Sequence, residues 1–354
     1  MIYKFYPVES KIVDLLSFPK CVRFIQESEH ENQNMLEFVS EKLIEEFKEL
    51  EMALKPYEKQ IRNFYFDEFS VPEFMMKSVS VFGHTSASSY LEHIQILDQK
   101  MILKSILTKL YLVKFDLEVV DETIIYDYVE SVEKQIQLIE SMDVSDEEKW
   151  KLSSLLRQPK QVVGEWIAFM KSIEPLFEEY YQWKMEKVIT FGQYLQEKLN
   201  LTDEDALENL TDGLVSKKLI PTENFLVSFV EPINIEINVS SSVPYLKMGV
   251  EIETFLQVKK EIEENQLKDR VNIFKNLGDK TRYEVVKLIA QGVESAKEIA
   301  QTLNVSQPTI SYHMNHLLLS KVIKLERVDS KFVHIVNFEQ LKLTYEQMLK
   351  DFGK

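Results

Sequence analysis

A chain of 354 residues, 45% apolar and 28% charged, can fill one large core or two ordinary ones, which excludes a disordered, collagen-like or coiled-coil protein. Eight glycines and ten prolines starve it of tight turns, favouring helices over a β-sandwich or a glycine-rich nucleotide-binding fold, and a lone Cys21 excludes a disulfide framework and a thiolate-only zinc site. The net charge of −16 is unevenly spread: the stretch from Arg270 to Lys354 carries +4 and everything before it carries −20.

That division predicts two units with different partners, because an acidic body repels polyphosphate and a small basic one attracts it. Cysteine usage points to a reducing, cytoplasmic setting. No run approaches the roughly 18 apolar residues of a membrane span, and Met1 to Lys11 lacks the apolar core of a signal peptide, so no membrane partner is expected.

Up to Pro221 the chain reads mostly as helices. Ser28 and Glu31 have capping-box spacing ahead of Met35, Val39, Leu43, Phe47 and Leu50, predicting one amphipathic helix that Pro56 ends. Ser88 or Ser89 caps a second helix with Leu91, Ile94, Leu97 and Met101 on one face; Ile125, Tyr128, Val132, Ile136 and Ile139 mark a third. Ser145 with Glu148 and Thr202 with Asp205 are further capping boxes. Between them, Val162, Trp166, Phe169, Ile173, Phe177 and Tyr180 form a stripe that Pro175 should kink or break.

After Pro221 the pattern changes. Phe225 to Val230 and Ile233 to Val239 are β-branched and aromatic, and the Glu231-Pro232 turn between them predicts a hairpin or two short strands, with Leu246 to Ile252 a candidate third. From Glu251 to Lys268 the chain is highly charged and helical. The expected organisation is an acidic, mainly helical domain over 1–252, a charged connector over 253–269 and a C-terminal domain over 270–354.

The C-terminal segment carries the strongest signal. In Leu277-Gly278-Asp279-Lys280-Thr281-Arg282, Gly278 is expected to end one helix in the left-handed conformation and Asp279 to cap the next. That helix carries Val285, Val286, Leu288 and Ile289 and stops near Gly292. A short helix from Ala296 to Leu303, a three-residue turn at Asn304-Val305-Ser306 and a helix capped by Ser306, with Pro308 in its first turn and Ile310, Met314 and Leu317 inward, make a helix-turn-helix. Its outer face holds Gln307, Ser311, Tyr312 and Asn315, donors and acceptors suited to base edges. Val322 to Val328 and Lys331 to Phe338 form a hairpin around Asp329-Ser330, whose Lys324, Arg327 and Lys331 suit phosphate.

Leu277-Gly278-Asp279-x-Thr281-Arg282, then Ser306-Gln307-x-Thr309-Ile310-Ser311-x-His313 and a basic hairpin, resemble the ArsR winged helix-turn-helix regulators over the stretch from Arg270 to Lys354. The resemblance implies a bacterial, homodimeric DNA-binding regulator acting on an inverted-repeat operator in double-stranded DNA. Gln307, Ser311, Tyr312 and Asn315 would read bases, and Ser306, Thr309, His313, Lys324, Arg327 and Lys331 would position the phosphates. Three positions depart from the family pattern. Lys280 replaces a proline, Lys321 a glycine that closes the recognition helix, and the wing tip lacks its glycine. Metal sensing, common in the family, is not expected: Lys297 to Leu303 has no cysteine, and His313, His316 and His334 have no acidic or thiolate companions.

No comparable signal lies ahead of Val250. The small-residue cluster Phe82 to Ser89 is neither a phosphate loop nor a nucleophile elbow and reads as a loop with a helix cap. His84 and His93, nine apart, do not have the spacing of a metal or general-base pair, and Cys21 reads as a buried thiol. Trp166, Tyr180, Tyr181 and Trp183 read first as core and second as the lining of an apolar pocket. The resulting expectation is a mainly α protein, not an enzyme and without a cofactor. Its large helical region, with a short β-hairpin, would serve dimerisation, an unidentified effector or a partner, ahead of a winged helix-turn-helix. An enzyme with an appended DNA-binding domain, and a winged helix used only for protein contacts, are the alternatives.

Overall fold

The structure, a computed structural model, describes residues 2–23, 38–117, 119–200, 206–211, 213, 215, 222–238, 243–263, 266–328 and 331–352. The chain divides into two compact units, one formed by residues 1–206 and 220–255, the other by 207–219 and 256–354. The protein is mainly α-helical.

In chain order, the first unit begins with β1 (Lys4–Phe5) and α1 (Pro7–Ser17) and a 3-10 segment over Phe18–Arg23. It continues through α2 (Glu41–Leu54), α3 (Glu58–Phe64), α4 (Val71–Ser78), α5 (Ala87–Gln95), α6 (Gln99–Phe115), α7 (Glu122–Val129), α8 (Val132–Glu140), α9 (Asp146–Arg157) and α10 (Pro159–Asn200). The chain then passes through α11 (Ala206–Leu210), which from Leu207 belongs to the second unit, and the first unit resumes with β2 (Asn224–Ser228), β3 (Ile235–Asn238) and β4 (Tyr245–Gly249).

Several helices start elsewhere than their apolar spacing suggests, because side-chain caps decide the start. The first expected helix begins at Ser40, whose Oγ accepts the Leu43 amide at 3.2 Å; Ser28, Glu31 and Met35 lie outside the described residues. It ends where expected, with Pro56 in a 3-10 turn. The second is capped by Ser86, not Ser88 or Ser89: Ser86 Oγ accepts the Ser89 amide and Ser89 Oγ accepts the Ser86 amide, so two serines make the box. Asp98 then accepts from Met101 and starts α6 afresh, so Leu91, Ile94 and Leu97 are buried while Met101 faces solvent. The third is two helices, since the Ser131 hydroxyl accepts the Lys134 amide and opens α8; Ile125 and Ile139 are buried but Val132 and Ile136 are exposed. Ser145 caps α9, yet Glu148 does not complete the box: its carboxylate accepts the Glu68 amide at 2.9 Å. Thr202 and Asp205 lie outside the described residues.

Pro175 does not end α10, which continues through it for 42 residues in all. The proline and Lys171, whose carbonyl loses its amide partner, are both exposed, so water can take the place of the missing hydrogen bond. Trp166, Phe169, Ile173 and Phe177 face the core, joined by Tyr181, while Tyr180 is only half-buried.

Of the two readings around Glu231-Pro232, a hairpin or two short strands, the structure has two short strands that do not pair with each other, and the candidate third strand is present as β4. The strand order of the sheet is β1-β2-β4-β3, with β2 parallel to β1 and β4, and β3 antiparallel to β4. The hairpin is β3–β4. β2 and β4 are buried on both faces, whereas β3 is half-buried throughout, so the two apolar strands pair at the centre and β3 takes the edge. The turn after β2 is shaped by Asp14 of α1, which is fully buried and accepts from Ser228 Oγ at 2.5 Å and the Phe229 amide at 3.2 Å. Gly249 closes the arrangement: its amide donates to Asn234, and a Cβ there would lie 2.1 Å from the Pro232 carbonyl oxygen. Beside it, the buried Lys247 ammonium is paired with Glu231 and Glu236. The loop before α5 also folds back, setting the His84 and His93 rings 5.3 Å apart, a proximity that nine-residue spacing did not suggest.

The second unit contains α12 (Ile252–Glu263), within which the division falls, then α13 (Gln266–Gly278), α14 (Lys280–Ala290), α15 (Ala296–Leu303), α16 (Gln307–Leu319), β5 (Ile323–Val328), β6 (Lys331–Val336) and α17 (Phe338–Asp351). Ile273, Val285, Val286, Ile289, Ile299, Ile310, Met314, Leu317 and Val322 are in its core; of the residues expected inward from helical periodicity, Val285, Val286, Ile289, Ile310, Met314 and Leu317 are buried there, while Leu288 is only partly buried against it.

Candidate nucleic-acid interface

The junction at Gly278-Asp279 is built differently from the expectation of a left-handed glycine. Gly278 is the last helical residue of α13 and has no positive φ. The turn is held instead by a reciprocal pair of caps. Asp279 accepts the Arg282 amide at 2.8 Å and opens α14, and the Arg282 Nε donates back to the Asn276 carbonyl at 3.2 Å, satisfying an oxygen at the end of α13 that a left-handed cap would otherwise address. The backbone amide of Arg282, and then its guanidinium charge, hold the Asp279 carboxyl below the usual carboxylate range.

The turn between α15 and α16 follows from two residues. Asn304 takes the left-handed conformation (φ 56°, ψ 46°), and the Val305 amide reaches the Ala300 carbonyl at 3.1 Å, closing α15 with an asparagine that tolerates this geometry. Ser306 Oγ then accepts the Thr309 amide at 3.2 Å and lies 2.7 Å from Thr309 Oγ1, so the two hydroxyls engage each other while opening α16. Pro308 sits in the first turn, where no amide is needed. With Ile310, Met314 and Leu317 buried, helical geometry turns Ser311, Tyr312 and Asn315 to solvent; Gln307 is half-buried at the helix start.

His313 is half-buried at the edge of that face. Burial pushes its pKa down, against an opposing pull from Asp279, and Nδ1 has no hydrogen-bond partner. His316, close by on the same helix, is also lowered by burial, and its ring lies 4.4 Å from that of Tyr312 in an edge-to-face arrangement. Among the described residues no three His, Cys, Asp or Glu side chains are grouped to hold a metal ion.

α16 ends on Lys321, left-handed at φ 57°, with the Val322 amide donating to Leu317 at 2.9 Å. A lysine thus adopts the conformation a glycine would take freely. The hairpin that follows pairs Ile323 with Val336 and Val328 with Lys331 in antiparallel register; the tip, Asp329-Ser330, lies outside the described residues. Because Lys324 pairs with Ile335 and Val328 with Lys331, strand alternation puts Lys324 and Lys331 on one face of the ribbon, both exposed. Arg327 lies on the other face, its guanidinium 6.0 Å from the centre of the Phe332 ring. The three cations expected to hold phosphate are therefore not on one surface.

A helix-turn-helix domain profile matches residues 277–326. The transcriptional repressor SdpR of Bacillus subtilis is 32% identical over 83 residues, 23% of this chain and 92% of that protein. The chain belongs to the helix-turn-helix transcriptional regulators. No solved structure matches it significantly. The profile spans the Asp279–Arg282 caps, the turn at Asn304 and all of α16, and ends in β5, before Lys331. As a regulator of this class it has two site features that residue types alone did not reveal: Arg282 as a helix closer and His316 as the support of Tyr312. The Leu-Gly-Asp-x-Thr-Arg spacing was the available signal for the first; the i, i+4 spacing of Tyr312 and His316 was the signal for the second.

Proposed function

We propose that this regulator binds double-stranded DNA sequence-specifically, as an ArsR-like homodimer on an inverted-repeat operator in the bacterial cytoplasm, and that it is not an enzyme. The observation that carries this reading is the Ser306-capped helix, which exposes Ser311, Tyr312 and Asn315 while its opposite side anchors in the core. Such a helix has the dimensions and donors to read a major groove. Lys324 and Lys331 on one face of the adjacent ribbon suit a phosphate backbone, with Ser306, Thr309 and His313 at the helix edge contributing to register. Repression is favoured by the likeness to a transcriptional repressor.

Dimerisation is supported by Val271 and Phe274 of α13 and Leu343 and Tyr345 of α17, all exposed on elements of the DNA-binding unit. The larger unit would supply further dimer contacts or receive an effector. Selection of sites from random duplex DNA by the full chain at physiological salt tests the proposal. A palindrome with half-sites roughly 34 Å apart, or a multiple of it, is expected, and recovery of no motif would overturn it.

A further inference from the structure

A cavity of about 230 Å³ lies within the larger unit, between α2 and the C-terminal half of α10. Its floor is apolar: Leu43, Phe47, Leu50, Phe229 and Val250 line it and are buried. Its wall carries an aromatic pair. Trp183 is 65% exposed, and its ring meets that of Tyr180 edge to face, with centroids 5.4 Å apart at 68°, and both residues line the cavity.

The charges around the cavity are asymmetric in their availability. Lys184 is held by Glu46 at 2.6 Å and Lys187 is paired with Glu251, so both lining lysines on α10 are already neutralised. Glu49, exposed on α2, lines the same cavity as Tyr180 and Trp183. The third lining lysine, Lys42, stands two turns before Glu49 on α2, about 10 Å away along the helix axis. An apolar cavity lined by two aromatic rings and a carboxylate is complementary to a cation with an apolar body, and the −20 charge of the chain up to Asp269 favours the same sign.

We propose that this cavity binds a small organic cation, an ammonium compound with an aromatic or alkyl body, seated against Tyr180 and Trp183 and held by the Glu49 carboxylate. Nothing in this assignment depends on the DNA-binding unit, and its test contains no DNA, so it stands or falls separately from the regulatory reading.

The experiment uses the full chain with Trp150→Phe. This leaves Trp183 as the exposed indole, since Trp166 is fully buried and Trp150 is itself exposed. Benzyltrimethylammonium and benzoate are titrated in parallel while tryptophan emission and the melting temperature are followed. The ammonium compound should change the emission saturably and raise the melting temperature, and benzoate should do neither. Glu49→Gln should weaken the ammonium compound about tenfold, and Trp183→Ala should abolish the rise in melting temperature, both with unchanged far-ultraviolet circular dichroism. Equal binding of benzoate, indifference to Glu49→Gln, or no saturable response up to about 10 mM would overturn the assignment.

Discussion

The Arg282 side chain reaches back to the preceding helix to donate its Nε proton to the Asn276 carbonyl, while its own backbone amide is accepted by Asp279. One residue thus closes α13 and stands in the first turn of α14, at the base of the helix-turn-helix. Arg282→Ala should destabilise the protein by about 1.5–3 kcal/mol, as for other hydrogen bonds to charged groups, and Asp279→Ala by about 1 kcal/mol through the lost cap. Denaturant unfolding of the full chain, followed by a probe in the C-terminal unit, measures both.

Lys321 should be improvable. Its left-handed backbone costs an L-residue about 1–2 kcal/mol, part of which glycine returns as chain entropy in the unfolded state. Lys321→Gly is therefore expected to stabilise the C-terminal unit by about 1 kcal/mol or slightly less, read from the same denaturant curves. A loss of stability would show that the lysine side chain contributes more than its backbone strain.

The reading and holding surfaces should separate by mutation. Ser311→Ala and Asn315→Ala are expected to relax preference at individual base pairs by about 1–3 kcal/mol each. Lys324→Ala and Lys331→Ala, on one face of the ribbon, should weaken all sequences and reduce the salt slope by about one unit each. Arg327→Ala, on the other face, should change the slope less. Binding isotherms on cognate and random duplexes at several salt concentrations test all five.

Buried Asp14 makes the larger unit pH-sensitive. Burial pushes its carboxyl up to about 7, against the opposing hydrogen bonds from Ser228 and Phe229, whereas an unfolded carboxyl titrates near 3.8. Between these values the native state holds a proton that the unfolded chain has released. Asp14 thus contributes most to stability below about pH 4, and that contribution is lost as pH rises through about 7, on the order of a few kcal/mol. Asp14→Asn, which imitates the protonated form, should flatten the difference in melting temperature between about pH 5 and pH 8.

Gly249→Ala should be severe. The added methyl would lie 2.1 Å from the backbone oxygen of Pro232, which cannot rotate away as a side chain can, and the Gly249 amide would lose its bond to Asn234. A loss of more than about 3 kcal/mol, or failure to accumulate folded protein, is expected in thermal melts.

What the sequence determined by itself was local in origin. Asp279 and Ser306 cap helices through bonds to amides within the first turn, and the apolar spacing of Val285, Ile289, Ile310 and Leu317 has the helical period, so the helix-turn-helix, its buried face and, apart from the half-buried Gln307, its exposed row were legible residue by residue. The charge step between Asp269 and Arg270 was equally plain. Tertiary structure decided what depends on distant partners. Periodicity cannot distinguish one long helix from two whose caps restart the phase, as at Asp98 and Ser131, because apolar spacing survives the break. Nor can it choose between pairing β2 with β3 and pairing it with β4. That choice was made by burial of β2 and β4 on both faces and by Asp14, far away in sequence on α1, which folds the Ser228–Phe229 turn around a buried carboxyl that needs those donors.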